Sequence, residues 1–454
     1  MEKNSNQTRV LSLPLVLKSL VPSILGILFF LIPFDGPHGP TVMIGIVGYA
    51  IMDLSSRLLP LTVVAIMLIS AVGAIYVRIH EPAWVRNHLF LRSAFMISKF
   101  WILVRAVGAV LGIAIILKLG PEWLWGENTG GLVLHELLSV LLVFFFLASI
   151  FLPLLLDYGL VELVGTMLHR ILKPVYKIPG NSGVDIIASL LGDGTVGTLI
   201  TARQYEKGYY TGREAAIIAT TFSVVSISFC IVVVNFVGLP HMFPYFYLTV
   251  VCTCLIIGLV LPRIWPLTSI PDKYHPEADS TVVDNNGQQL SLVSGLQLAT
   301  QKAGSAPGPV KLLQIGLFNA FDIWLVFIPV IMVIASVAMI LAETTPIFQW
   351  MGSPLVPLLD LLQIPEPEKA APGVFLGFVD MFLPAILCRG IDSEMTRFII
   401  SALSIAQLIY MSEVGVLIMK SSIPLNFWQL LSLFIIRTVM ALPIIVLFAR
   451  FYFL

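Results

Sequence analysis

Three carboxylates stand where a carboxylate is expensive. Asp193 lies in LLGDGTVGTLI (190–200), Asp380 in GFVDMFLPAIL (377–387) and Glu413 in LIYMSEVGVLI (408–418), each run otherwise apolar or small. An ionised side chain in hydrocarbon costs several kcal/mol unless it is paired or hydrated, so an acid there is first a candidate for holding a solute or a cation. Asp193 and Asp380 are 187 residues apart and both adjoin helix-breaking Gly or Pro. They are read as facing one substrate site, with capping of a half-helix N-terminus as the competing role. Asn181, Ser182, Thr195, Thr221, Ser226 and Gln407 offer hydroxyls and amides as further substrate-binding candidates. Ser412 and Asn235 join Glu413 as ion-coupling candidates. For hydroxyls the plainer role is to bond back onto their own helix. Glu136 and Asp322, with Arg105 as a candidate partner, read as a structural set.

Composition says where these groups sit. The 454-residue chain is 58% hydrophobic and 11% charged, with mean hydropathy +0.95 and no net charge. That describes a polytopic membrane protein and leaves no basic footprint for nucleic acid. The four cysteines lie in or beside apolar segments and read as small core residues. Seven scattered histidines without an HExxH string give no metal site, and no cofactor is expected. GDGTVG (192–197) matches a dinucleotide fingerprint but lacks the strand–turn–helix setting that the motif needs. Asp157-Tyr158, LLGD and Pro384-Ala385-Ile386 approach the intramembrane aspartyl protease motifs, with the first pair reversed and Leu190 in place of a glycine. No catalytic residue, and no enzyme, is assigned.

A spanning helix takes about 20 apolar residues. Ten segments qualify: 15–34, 41–56, 58–77, 95–118, 132–156, 213–238, 245–262, 311–342, 394–420 and 427–452, with 41–56 interrupted by Asp53 and Arg57. Segments 181–202 and 370–389 are split by Gly or Pro and carry the aspartates. They are read as re-entrant hairpins, covered by protein or lining a cavity. Residues 159–178, with Arg170, Lys173 and Lys177, suit an interfacial helix, and 346–364 its counterpart. The chain divides into a polar tail (1–14), N-terminal helices (15–131), a first repeat (132–267), a polar flexible linker loop (268–309) and a second repeat (310–454).

The repeats are read from ordered landmarks. Glu136 and Asp322 are 186 apart, as are Asp157 and Glu343, and Ile178-Pro179 and Ile364-Pro365; Pro240 and Pro424 are 184 apart. Three crossings per unit is an odd number, so the second copy must be inverted, as in many secondary transporters. Arg170, Lys173, Lys177, Arg203, Lys207 and Arg213 surround the first hairpin, and Glu343, Asp360, Glu366 and Glu368 the second. The first therefore enters from the cytoplasm and the second from outside. Ten crossings put the N-terminus outside, against Lys3, Arg9 and Lys18; it moves inside when 41–56 does not cross.

Residues 132–262 and 311–452, and most clearly LKPVYKIPGNSGVDIIASLLGDGTVGTLITARQYEKGYYTGREAAIIATT (172–221), resemble the Gate (nucleoside recognition) domain. With LVPSILGILFFLIPFDG (20–36), the chain resembles the YjiH-type bacterial inner membrane proteins, and its order of elements is similar to that of the concentrative nucleoside transporters. The resemblance implies an all-α transporter with a scaffold and a moving domain. The Gly-Gln-x-Glu-Ala-Pro string of the nucleoside transporters does not occur. The expectation is a secondary transporter of the bacterial inner membrane, with the bilayer and a small polar solute as partners. The solute stays open between a nucleoside or base and a zwitterion such as an amino acid or dipeptide. Na⁺ and H⁺ coupling are both compatible with the residues, as is a homo-oligomer. A membrane gate or assembly partner without turnover is the alternative.

Overall fold

The computed structural model describes residues 13–36, 39–87, 89–127, 129–191, 194–222, 226–276 and 292–453. The protein is helical and polytopic. Among the described residues, seven helical segments are long and apolar enough to cross a membrane: Leu13–Phe30, Leu59–His80, Lys99–Ile116, Glu122–Leu156, Pro240–Arg263, Pro309–Thr344 and Phe427–Phe453.

The N-terminal part holds α1 (Leu13–Phe30), a small antiparallel hairpin of β1 (Pro33–Gly36) and β2 (Gly39–Val42), α2 (Met43–Ser55), α3 (Leu59–His80) and α4 (Lys99–Ile116). α2 is the segment expected at 41–56. Its 13 residues reach about 20 Å, short of a bilayer core of about 30 Å.

Two units follow with one order of elements. In the first, α5 (Leu138–Phe151) leads to α6 (Leu160–Ile171), α7 (Gly183–Leu191) and α8 (Gly194–Glu206), the pair α9 (Gly212–Thr221) and α10 (Ile227–Phe236), and the long α11 (Phe243–Val260). After α12 (Leu292–Ser305), the second has α13 (Pro309–Thr344), two short helices at Ile347–Gly352 and Val356–Leu361, then α14 (Pro367–Leu376) and α15 (Leu383–Cys388), α16 (Glu394–Ala406) and α17 (Val414–Lys420), and α18 (Phe427–Phe453).

Three expectations change here. The segments 213–238 and 394–420 are not continuous spans: each is two half-helices, stopping at Thr221 and Ala406 and resuming at Ile227 and Val414. Two of the ten expected spans are thus interrupted, because hydropathy averaged over a window runs straight across a short break. The stretch 268–309 is not loop throughout: α12 packs on α6 and α1. Gly295 and Gly159 allow that approach, since a Cβ at Gly295 would meet Thr166 Oγ1 at 2.0 Å and one at Gly159 the Ala299 carbonyl oxygen at 2.4 Å.

Local chemistry explains the element ends. Thr211 caps α9 in a reciprocal box with Glu214, the T-x-x-E pattern of the sequence. Ser393 caps α16 by accepting the Thr396 N–H. In α13, Pro329 cannot bond the carbonyl of Leu325, and Ser70 of α3 donates its hydroxyl there instead, at 2.5 Å. At the same level Gly108 lets α4 approach, because a Cβ would lie 2.5 Å from the Pro329 carbonyl oxygen. α9, α10 and α16 are buried on nearly all sides, whereas α4, α13 and α18 expose Leu103, Phe318 and Leu447 as a lipid-facing surface.

Candidate functional site

A cavity of about 1070 Å³ lies where elements of both units meet α4 and α12. Its wall is mostly Ile, Val, Leu and Phe, with a few converging polar groups, the usual make-up of a small-molecule site. Among the described residues, six carboxylates line it (Asp157, Glu162, Asp185, Asp322, Asp380 and Glu413) against two cations, Arg105 and Lys302.

The breaks bring Asp380 and Glu413 to it. The chain opens at 377–382 between α14 and α15, and at 407–413 between α16 and α17. The two breaks pair through their backbones: Met411 N–H donates to Phe378 O at 2.8 Å and Ser412 N–H to Val379 O at 3.0 Å. Asp380 Oδ1 accepts the Phe382 N–H at 2.7 Å, so one oxygen holds the turn. Leu408 has φ +59°, a conformation that costs a β- or γ-branched residue energy and that clusters at functional segments. Ser412 and Glu413 line the cavity from this break. From the first unit Ser226 lines it at the start of α10, where its hydroxyl also accepts the Phe229 N–H at 3.1 Å.

Other candidates lie elsewhere. Thr221 and Gln407 are fully buried at the ends of α9 and α16, outside the lining, each with an oxygen that has no hydrogen-bond partner among the described residues. The Gln407 amide nitrogen donates to Val374 O and Thr438 Oγ1, both at 2.9 Å. Asn235 donates to its own helix at Ile231 O, 2.7 Å, and Ser182 donates to Pro179 O, also at 2.7 Å. Asp193 lies outside the described residues, and the Asn181 and Thr195 side chains outside the described side chains. Glu136 pairs with Arg389 rather than Arg105. Arg105 acts electrostatically on Asp322 and donates to Ala94 O at 2.6 Å.

Sequence reasoning passed over the other end of the cavity. Asp185, on α7, accepts the Tyr210 hydroxyl at 2.5 Å, which ties α7 to the chain leading into α9. Asp157 and Glu162 flank the start of α6, and Lys302 comes from α12. Burial pushes the Asp157 and Glu162 carboxyls above the usual range, and the Lys302 ammonium pulls each part of the way back. Asp157 carried a signal as a repeat landmark and Asp185 as a second acid in the hairpin run; Lys302, in a polar stretch, carried none.

The family model described as Gate, nucleoside recognition, matches residues 138–240, from α5 to just past α10. An uncharacterised protein of Alkalihalophilus pseudofirmus is 43% identical over 438 residues, 96% of this chain and 95% of that one. The chain belongs to the family of that protein. Among solved structures it is similar to CNTnw in an inward-facing substrate-bound state, with TM-score 0.43 and 14% identity over 89% of this chain and 99% of the other. CNTnw in an outward-facing state gives 0.38 and 14%, over 88% and 97%.

Proposed function

We propose that the protein is a secondary transporter of the bacterial inner membrane that carries a small polar solute through this cavity. The observation that carries the reading is the meeting of interrupted helices from both units at one cavity with carboxylates on its wall. Interrupted helices at membrane depth are tolerated where they line a polar cavity, and inverted-repeat transporters build their solute sites from them. The Gate match over 138–240 supports recognition of a nucleoside or base. The excess of carboxylates favours a solute with an amine, such as an amino acid or dipeptide, as the second reading. Asp380, Ser226 and Ser412 would contact the solute. Glu413 would carry the coupling ion, H⁺ or Na⁺. The two hairpins would be re-entrant, opening on opposite sides of the membrane.

The test is uptake into proteoliposomes holding the purified chain, against a panel of nucleosides, amino acids and dipeptides, with and without imposed Na⁺ and H⁺ gradients. Gradient-driven accumulation of one class supports transport. No accumulation of any panel member over empty liposomes, under either gradient, counts against it and for a gate without turnover.

A further inference from the structure

Arg437, on α18, is among the largest fully buried side chains in the protein. Its guanidinium is spent almost entirely on carbonyls at the ends of the two half-helices. Nη1 donates to Thr220 O at 3.0 Å, Nη2 to Ala406 O at 2.7 Å, and Nε to Ala406 O and Gln407 O at 3.3 and 3.2 Å. The remaining contact is Nη2 to Cys254 Sγ on α11, 3.7 Å. Among the described residues, none of the ion pairs includes Arg437.

Three facts make this more than a buried arginine. Thr220 O lies in the last turn of α9, and Ala406 O and Gln407 O lie where α16 stops, at the ends where the helix dipole is negative; Gln407 O also accepts the Ile409 N–H at 2.7 Å. Thr220 and Ala406 are 186 residues apart, the spacing that relates the repeats, so one side chain serves equivalent points of both units. A buried charge without a counter-charge costs several kcal/mol, and only a dense set of acceptors offsets it. Carbonyls at the ends of interrupted helices are also the ligands that coupling cations use in membrane transporters.

We propose that Arg437 is a tethered cation, filling the carbonyl cage where both broken helices stop and doing there the electrostatic work of a bound metal cation. The cage is therefore not a Na⁺ site in this chain, and any coupling ion binds on the Glu413 side of the break. One change on α18 loosens both half-helices together, since no other side chain in the described structure bonds to the end carbonyls of both.

The inference goes beyond the transport reading and is tested without any solute. Purified full-length wild type and Arg437→Ala are unfolded thermally in NaCl and in choline chloride of equal ionic strength, and again with low-millimolar guanidinium. Arg437→Ala is expected to melt lower, and to regain about 2–4 °C with Na⁺ or guanidinium beyond any shift in wild type. A folded Arg437→Ala that is indifferent to all three cations overturns the proposal. Arg437→Lys, whose single ammonium cannot reach both breaks, keeps the idea falsifiable if the alanine variant does not fold. Hydrogen exchange should then quicken at 217–221, at 403–407 or at both. Protection unchanged at both overturns the proposal.

Discussion

Replacing Asp380 with Asn separates its two roles. In the structure one carboxylate oxygen accepts the Phe382 N–H at 2.7 Å, and the residue also faces the cavity. Asn keeps an acceptor oxygen and nearly the same shape. A hydrogen bond to a charged acceptor is worth about 1.5–3 kcal/mol and a neutral one about 0.5–1.5, so the turn should weaken by roughly 1 kcal/mol. Ala removes the acceptor as well and should cost about 2 kcal/mol. If the charge meets a cationic group on the solute or the coupling ion, its loss costs at least about 2 kcal/mol of binding, roughly thirty-fold in affinity. The assay is thermal unfolding and initial uptake rate on the same purified preparations, at solute concentrations below saturation. The expected result is a small drop in melting temperature for Asp380→Asn with uptake lowered more than tenfold. Wild-type uptake with the same ion dependence would refute the argument and leave Asp380 as a turn residue.

Further outcomes follow from other parts of the molecule. Glu413→Gln should abolish the effect of an ion gradient on accumulation while solute exchange continues, read on one purified variant; gradient-driven accumulation at the wild-type level removes Glu413 from the coupling role. Single cysteines at Lys177 and Glu368, in a Cys252→Ala background, should be labelled by an impermeant reagent from opposite sides of oriented vesicles; labelling from one side contradicts inverted repeats. Ser70→Ala should destabilise by about 1–3 kcal/mol, because it orphans the Leu325 carbonyl that Pro329 leaves free; an unchanged melting temperature would show that the carbonyl finds another donor. The raised carboxyls of Asp157 and Glu162 take up protons in the folded state before the unfolded chain does. Their contribution to stability therefore grows as pH falls through their folded values towards the ordinary carboxylate range. Asp157→Asn with Glu162→Gln should flatten the pH dependence of melting just above the ordinary carboxylate range, and an unaltered slope would contradict it.

Much of this architecture is legible because each element has its own chemistry. The long apolar runs at 59–80, 99–116 and 427–453 appear as spans, and Gly and Pro beside a lone acid mark the break near Asp380. The broken helices were hidden, although Ser226 and Ser412 stand 186 apart, as do Thr221 and Gln407, and a repeat-by-repeat comparison of polar positions points to the interruption. α12 was hidden for another reason. It packs mainly on α6 and α1 and carries many polar residues, so composition read it as linker. The cavity's Asp157, Glu162 and Lys302, and the Glu136–Arg389 pair, join residues from distant segments, which no local pattern encodes. Arg437 was visible as a charge in a span, but its role depends on where two other helices end.

The central claim is that solute passes through the cavity between the two units. Val330, on α13, lines that cavity and is partly exposed to it. Val330→Trp should therefore narrow the space without adding a charge or removing a hydrogen bond. In proteoliposomes, using whichever solute the wild type accumulates, the account predicts uptake and exchange both falling to the level of empty liposomes while the melting temperature stays near that of the wild type. Wild-type uptake by a folded Val330→Trp protein would contradict it.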